Sequence, residues 1–369
     1  MAGHAGARLT LSAARGNRHG VIRFLATLAV AVSSLLAEDQ VNPPEVEPPP
    51  AAATKSPGPS IVAVAFDARA VADLDEDRAV TAPLVDALVR TVTGAKDTAA
   101  AWRTLVGPED RVGIKVTAHG GRYFGTRRGV IAAVVAGVRS AGVKEVFVWD
   151  KSAAELRAAG ITAETVGCEV RAIEPPRGWD GEATVQAPCI GKLIWGDFLF
   201  AARAAQREPD LLSSKSNLAS LLTRGCTKFI NIPALADEAG CGVAGALHSA
   251  VIGNLDNWRR FTSFGEGGAA AIAEIYADKR IGGKCVLHIL DAMVVTYAGG
   301  PGANPRYSFP HASLYASRDP VALDTIGLRL MERWRVDSGL APIGTKAAWL
   351  QGTTVGNSDD KLIQLKTAR

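Results

Sequence analysis

Closely spaced cysteines are missing from this chain. Cys168, Cys189, Cys226, Cys241 and Cys285 are the only five in 369 residues, and none form a C-x-x-C pair. No iron–sulfur cluster or zinc site built from neighbouring thiolates is therefore expected, and no ferredoxin module is attached. The odd count leaves at least one thiol free whether or not one or two disulfides form, and buried reduced cysteine is the expected state for most of them. Aromatics make up only 6% of residues, and no Lys/Arg run is interleaved with them. Nucleic-acid binding is therefore not expected despite the net charge of +4. The sequence contains no G-x-S-x-G, no H-E-x-x-H and no Walker loop, which excludes a hydrolase elbow, a zincin helix and a P-loop.

What is present is ordinary globular material, 47% hydrophobic and 21% charged, ample for a large core. The amino terminus stands apart from it. Arg15, Arg18 and Arg23 precede an apolar run over 24–37, too short to span a bilayer but of the length of a signal-peptide core. Residues 1–37 are read as an export signal with a cut after Ala37, which places the protein in the periplasm or outside the cell. The alternative is an uncleaved signal that holds the chain to the membrane. No Arg-Arg pair precedes the apolar run and no cysteine follows the cut, so neither twin-arginine export nor lipid anchoring is expected. Residues 38–59, rich in Pro and Ala, cannot bury enough surface to order themselves and are read as a linker. The folded domain is placed at 60–340, with a weakly patterned tail over 341–369.

Within the domain, apolar runs at 61–66, 111–116, 143–149, 229–232, 284–290 and 314–317 read as strands. Helical periodicity follows several of them: a helix with Pro83 in its first turn, then 130–140, 243–252, 268–277 and 320–336. This alternation predicts an α/β fold, a mostly parallel sheet flanked by helices. Between 160 and 209 the pattern breaks into short segments (169–173, 183–186, 193–200), a small strand-rich insertion, and a helix is expected near 215–223.

Parallel strands place their carboxyl ends on one rim, where open α/β sheets keep ligands. That rim is expected to collect Lys115, Thr117, Asp150, Asn231, Asp291 and Asp319. Such a set could bind a polar ligand for acid/base work or hold a divalent cation through oxygen ligands. Asp150 and Asp319 precede helices, and capping is the favoured explanation for both. Asp324 falls on a helix that is apolar on most sides and so needs a partner or a raised pKa, a buried ion pair being the plain alternative. Gly240-Cys241-Gly242-Val243-Ala244-Gly245 is formally G-x-G-x-x-G, but it does not follow its strand directly, so a dinucleotide site is set aside. Backbone N–H groups at the next helix start are instead read as an anion seat. His248 on that helix and His288 in the apolar strand read more readily as hydrogen-bonded core histidines than as ligands.

Six segments together resemble the domain-of-unknown-function 362 family: VGIKVT (112–117), VFVWD (146–150), KFINIPAL (228–235), GVAGALHSAVIGNLDNWRRF (242–261), LHILDAM with the following YAGGPG (287–302) and ASRDPVALD (316–324). The resemblance runs from about 111 to 340 and implies an α/β protein, some members being exported and some carrying ferredoxin domains. The family pattern has Asn where Thr117 stands, Lys-x-His where Ala236-Asp237-Glu238 stands, and Lys-Asn where His248-Ser249 stands.

These observations lead to an exported protein that binds a small polar or anionic ligand. Lys115, Asp291 and Asp324 are the candidate catalytic groups, with Asp291 and Asp324 the ligands of any divalent metal. Thr117, Asn231, Gly242, Gly245, His248, Asn254, Gly299, Gly300 and Asp319 are the candidate ligand contacts. The rival readings are a non-catalytic binding or scaffold module with a degenerate site, and a redox-associated partner of an iron–sulfur protein.

Overall fold

The computed structural model describes residues 58–174, 178–186, 215–262 and 266–369. The export signal, most of the linker, Cys189 and the strand expected over 193–200 lie outside the described residues. No helix among the described residues is long and apolar enough to cross a membrane.

The strands are β1 (Ser60–Phe66), β2 (Val71–Ala72), β3 (Asp75–Glu76), β4 (Arg111–Val116), β5 (Glu145–Asp150), β6 (Glu169–Ala172), β7 (Trp179–Gln186), β8 (Lys215–Ala219), β9 (Lys228–Ile232), β10 (Ala234–Glu238), β11 (Gly242–Ala244), β12 (Cys285–Thr296), β13 (Ser308–Ser317) and β14 (Ile363–Thr367). One 10-stranded sheet has the order β14-β1-β13-β12-β9-β4-β5-β6, with β10 beside the second half of β12 and β11 beside β10. Strands β6, β5, β4, β9 and β12 pair in parallel. Strand β13 is antiparallel to both β12 and β1, and β14 is parallel to β1. Apart from β13 and β11, every strand of this sheet therefore points the same way, giving the α/β architecture with a mostly parallel sheet. Of the strand-rich insertion expected over 160–209, 169–172 is β6 of the main sheet, while β7 forms a separate antiparallel pair with β8, which lies beyond that span.

The principal helices are α1 (Arg78–Thr93), α2 (Arg128–Ser140), α3 (Ala246–Val251), α4 (Glu266–Tyr276) and α5 (Pro320–Asp337). Two cores form on opposite faces of the sheet. Ile114, Ile230, Ile289 and Met293 face α1 and α2, whereas Phe229, Leu290 and Ala292 face α3, α4 and α5. Alternation along each strand sends successive side chains to opposite faces, and here both faces are covered.

The structure corrects several expectations. Residues 215–219 form β8 rather than a helix, because their alternation packs Leu218 inward while the backbone pairs with β7. Pro233 interrupts a strand without ending it: β9 pairs with the first half of β12 and β10 with the second, and the Asp291 N–H donates to Pro233 O (2.8 Å). The supposed glycine loop is largely the β10–β11 hairpin, so the helix begins only at Ala246. Helix α1 starts at Arg78, before Pro83, capped by the Asp77 side chain. Strand β12 extends to Thr296, which leaves Asp291 inside it rather than at its end. The tail contributes β14, an edge strand whose exposed residues explain its weak pattern.

Candidate functional site

The carboxyl ends of β4, β5 and β10 surround a cavity of about 540 Å³. Its walls include Lys115, Thr117 and His119 after β4, Asp150, Lys151 and Ser152 after β5, Glu238 on β10, Gly245, His248 and Ser249 around the start of α3, and Trp258 and Arg259 beyond it. Such volumes suit metabolite-sized ligands.

From Lys115 in the cavity wall, a row of buried polar residues runs in register across the sheet. Lys115 of β4 lies beside Asn231 of β9, and Asn231 beside His288 of β12. Lys115 Nζ donates to Asp150 Oδ1 (2.8 Å) and Val116 O (2.6 Å). Asp150 also accepts from the Ala118 and Lys151 N–H groups (2.7 and 2.8 Å). Burial alone would raise the Asp150 pKa, but the Lys115 charge and these hydrogen bonds outweigh it and hold the carboxyl below its ordinary value. Asn231 is fully enclosed: Nδ2 donates to Ala246 O (2.8 Å) and His288 Nδ1 (3.1 Å), and Oδ1 accepts from Ser249 Oγ (2.8 Å). Because the amide donates to Nδ1, the His288 proton sits on Nε2, facing Tyr276 Oη at 2.9 Å. Burial drives the His288 pKa down to about 3, so the ring is a neutral core group.

Two groups in the cavity wall lack a hydrogen-bond or ion-pair partner among the described residues. His248 Nε2 is buried without a hydrogen bond. Burial, then the charges of His119, Lys151 and Lys115, push its pKa down to about 3. Lys151 makes no ion pair among the described residues; its Nζ lies 4.8 Å from the centroid of the Trp258 ring. Burial, reinforced by the Lys115 charge, lowers the Lys151 pKa well below that of a free lysine. His119 Nε2 donates to Pro301 O (2.6 Å) and closes the outer edge.

Of the residues chosen from sequence, the cavity brings together Lys115, Thr117, Gly245 and His248. Asp291 and Asp324 do not meet. Asp291 shares a face with Ile289 and Met293 and accepts from the Arg127 and Met293 N–H groups (2.7 and 3.0 Å). Asp324 lies on the other face and accepts from the Ala246 and Leu247 N–H groups (2.5 and 2.9 Å). A metal shared by this pair is therefore ruled out by geometry, and no group of three His, Cys, Asp or Glu able to hold a metal occurs among the described residues. Burial raises Asp291 to a pKa of about 6 and Asp324 to about 7.

The anion seat at the helix start is likewise corrected, because the Asp324 carboxylate already occupies it. Gly245 permits this approach: an added Cβ would lie 2.1 Å from Asp324 Oδ1. Gly245→Ala is expected to cost about 1–3 kcal/mol by overpacking, read as a lower urea midpoint. An unchanged midpoint would show that α3 and α5 can separate without penalty.

Asp319 sits at the opposite rim, since β13 runs antiparallel, and there it caps α5 through the Val321 and Ala322 N–H groups (2.9 and 3.0 Å). Asn254 is internal, accepting from Trp149 Nε1 (2.9 Å) and donating to Ala250 O (2.8 Å). Gly242 has φ +86° and packs against Ile343 and Ala347. The Gly299–Gly300 turn is tied to β10 by the Gly299 N–H on Asp237 Oδ2 (2.9 Å). None of these lines the cavity. Lys151, Trp258 and Arg259 were missed by sequence reasoning. Lys151 carried a usable signal, since it directly follows a strand-end residue; Trp258 and Arg259 lie in a loop and short helix whose approach only the tertiary fold sets.

The segment built of β8 to β13 and the first half of α5 now has an independent match. Residues 213–329 match the DUF362 family model, "Domain of unknown function". The resemblance read from the motifs is shown over that segment. The DUF362 match contains Asn231, the β10–β11 hairpin, His248, Trp258 and Asp324, while Lys115, Asp150 and Lys151 lie ahead of it. A crystal structure of a protein from Thermotoga maritima is similar at 13% identity with a TM-score of 0.39, covering 66% of this chain and 58% of that one. This chain therefore spans less than two thirds of that structure's length. The comparison with curated proteins finds no match.

Proposed function

We propose that this protein binds a small organic anion in the cavity at the strand ends, with Lys115 supplying positive charge and Lys151 and His248 hydrogen bonds. The observation that carries this reading is the coincidence, in one cavity, of a buried His248 Nε2 without a partner and a Lys151 amine without a counter-ion among the described residues. Buried polar atoms in folded proteins are overwhelmingly paired, and an unpaired one in a cavity wall marks where a ligand atom belongs. The Lys115 ammonium supports the same reading: it has three donors and the protein uses two of them, on Asp150 and Val116. Of the other carboxylates in the cavity wall, Glu238 is engaged by the Gly240 and Cys241 N–H groups (2.8 and 2.7 Å) and Glu155 is exposed to solvent. The local balance therefore favours an anion over a cation.

Calorimetric titration of the full chain with lactate, 2-hydroxyglutarate and inorganic phosphate at low ionic strength tests this. At least one is expected to bind saturably, and Lys151→Gln is expected to weaken it by about 1.5–3 kcal/mol, the usual loss of a hydrogen bond to a charged group. If wild type binds none of them, or the variant binds as tightly as wild type, the cavity is not an anion site.

A further inference from the structure

The cavities, the buried titratable groups and the exposed patches differ in how far they point to chemistry, and Lys151 points furthest. A lysine facing solvent is normally protonated and inert as a nucleophile, whereas desolvation and neighbouring cations free its lone pair. Lys151 lies in the wall of the cavity, next in sequence to Asp150. The charged groups acting on it are Lys115 and Arg259, which oppose its protonation, and Asp150 and Asp256, which favour it. Asp150, however, is engaged by Lys115 and by the Ala118 and Lys151 N–H groups. Asp256 accepts from the Asn217 N–H and Nδ2 (2.7 and 2.9 Å) and from the Asn257 N–H. Neither carboxylate forms an ion pair with Lys151. The Trp258 face holds the amine at 4.8 Å and offsets only part of its desolvation.

We infer that Lys151 is an imine-forming nucleophile and that the ligand class of this cavity is the 2-oxo acids. This rests on the anion-binding reading above: the carboxylate meets the free donor of Lys115 and the His248 ring, and the adjacent carbonyl meets Lys151. In the step, the neutral amine nitrogen attacks the carbonyl carbon, an N–C bond forms and the C=O π pair moves to oxygen. The two amine protons leave with that oxygen as water, and the product is a C=N imine on Lys151. No oxidant or reductant is consumed.

The test is borohydride trapping on the intact full chain at pH 7 with pyruvate and 2-oxoglutarate, followed by peptide mass mapping. Lactate and 2-hydroxyglutarate serve as carbonyl-free competitors. Hydride delivered to the imine carbon fixes the adduct as a stable secondary amine. Lys151 is expected to be labelled at least about tenfold more than any other lysine, because the cavity holds both the bound 2-oxo acid and a desolvated amine beside it. Both hydroxy acids are expected to suppress that labelling. Two failures are distinguishable. Saturable hydroxy-acid binding that Lys151→Gln weakens, with labelling no higher at Lys151 than at surface lysines, overturns the imine while the anion site stands. No saturable binding of either hydroxy acid, with uniform labelling, overturns both. Mapping on the wild-type chain makes the outcome independent of how well the variant folds.

Discussion

Replacing Asp150 with alanine is expected to destabilise the fold by about 3–5 kcal/mol, the usual cost of stripping one partner from a buried ion pair. Lys115 is only 2% exposed, and its ammonium would be left with the Val116 carbonyl alone. The Ala118 and Lys151 N–H groups would lose their acceptor in the same step. Lys115→Met is expected to cost less, because Asp150 keeps both backbone donors and the methionine stem still packs on Gly253. Gly253 has no room for a side chain there: an added Cβ would fall 2.7 Å from Lys115 Cε and Nζ. Urea denaturation of wild type, both single variants and the double variant would give the coupling energy directly. A coupling energy near zero, or an Asp150→Ala cost under about 1 kcal/mol, would mean that the pair is solvated and the cavity wall is not preorganised. The pair also has a direct bearing on the proposed ligand. By neutralising Asp150, Lys115 keeps that carboxylate from repelling an anion, so Asp150→Ala with a surviving fold should bind anions at least as well.

The second large effect concerns Asp324, which is 1% exposed and holds the first N–H groups of α3. Alanine there would strand two buried donors and leave a small void, for an expected loss of about 2–4 kcal/mol. The pH dependence is the sharper signature. Burial, opposed by the two backbone hydrogen bonds, raises its pKa from 3.8 to about 7. A raised folded-state pKa means that the native state binds a proton that the unfolded chain has released in this range. The resulting stabilisation is fully present below the unfolded pKa and is lost as pH rises through the folded value. The difference in unfolding free energy between wild type and Asp324→Ala should therefore shrink from about pH 4 to pH 7 and level off above. Taking the difference cancels Asp291, whose pKa of about 6 gives wild type a slope of the same sign. A difference curve that is flat, or that grows with pH, would show that the helix-start donors hold Asp324 ionised throughout.

The same two carboxylates show how sequence and structure share the account. Both were legible as unusual: Asp291 because no helix follows it to cap, Asp324 because its helix is apolar on most sides. Asp324 is buried as expected, and Asp291, expected at the open rim, is buried as well. Their roles were not legible, because a strand sends alternate residues to opposite faces and sequence cannot say which face a given helix will cover. Asp291 meets the start of α2 and Asp324 the start of α3, on opposite sides of the sheet. Asp319 failed as a rim residue for a related reason. The apolar run of β13 has the same composition whether the strand runs with its neighbours or against them, and only its pairing with β12 and β1 reverses it.

By itself the sequence determined the alternation of strand and helix, the cap at Asp319, the resemblance to DUF362 over 213–329 and the burial of His288 and Asp324. These are local consequences of periodicity and of residues that the backbone around them demands. The tertiary structure alone decided strand direction, the continuation of β9 into β10 past Pro233, and the filling of the α3 start by Asp324. It alone brought Lys151 and Trp258 together across more than a hundred residues of chain. Those features depend on contacts between segments distant in sequence, where the free energy comes from packing and desolvation that no local pattern encodes.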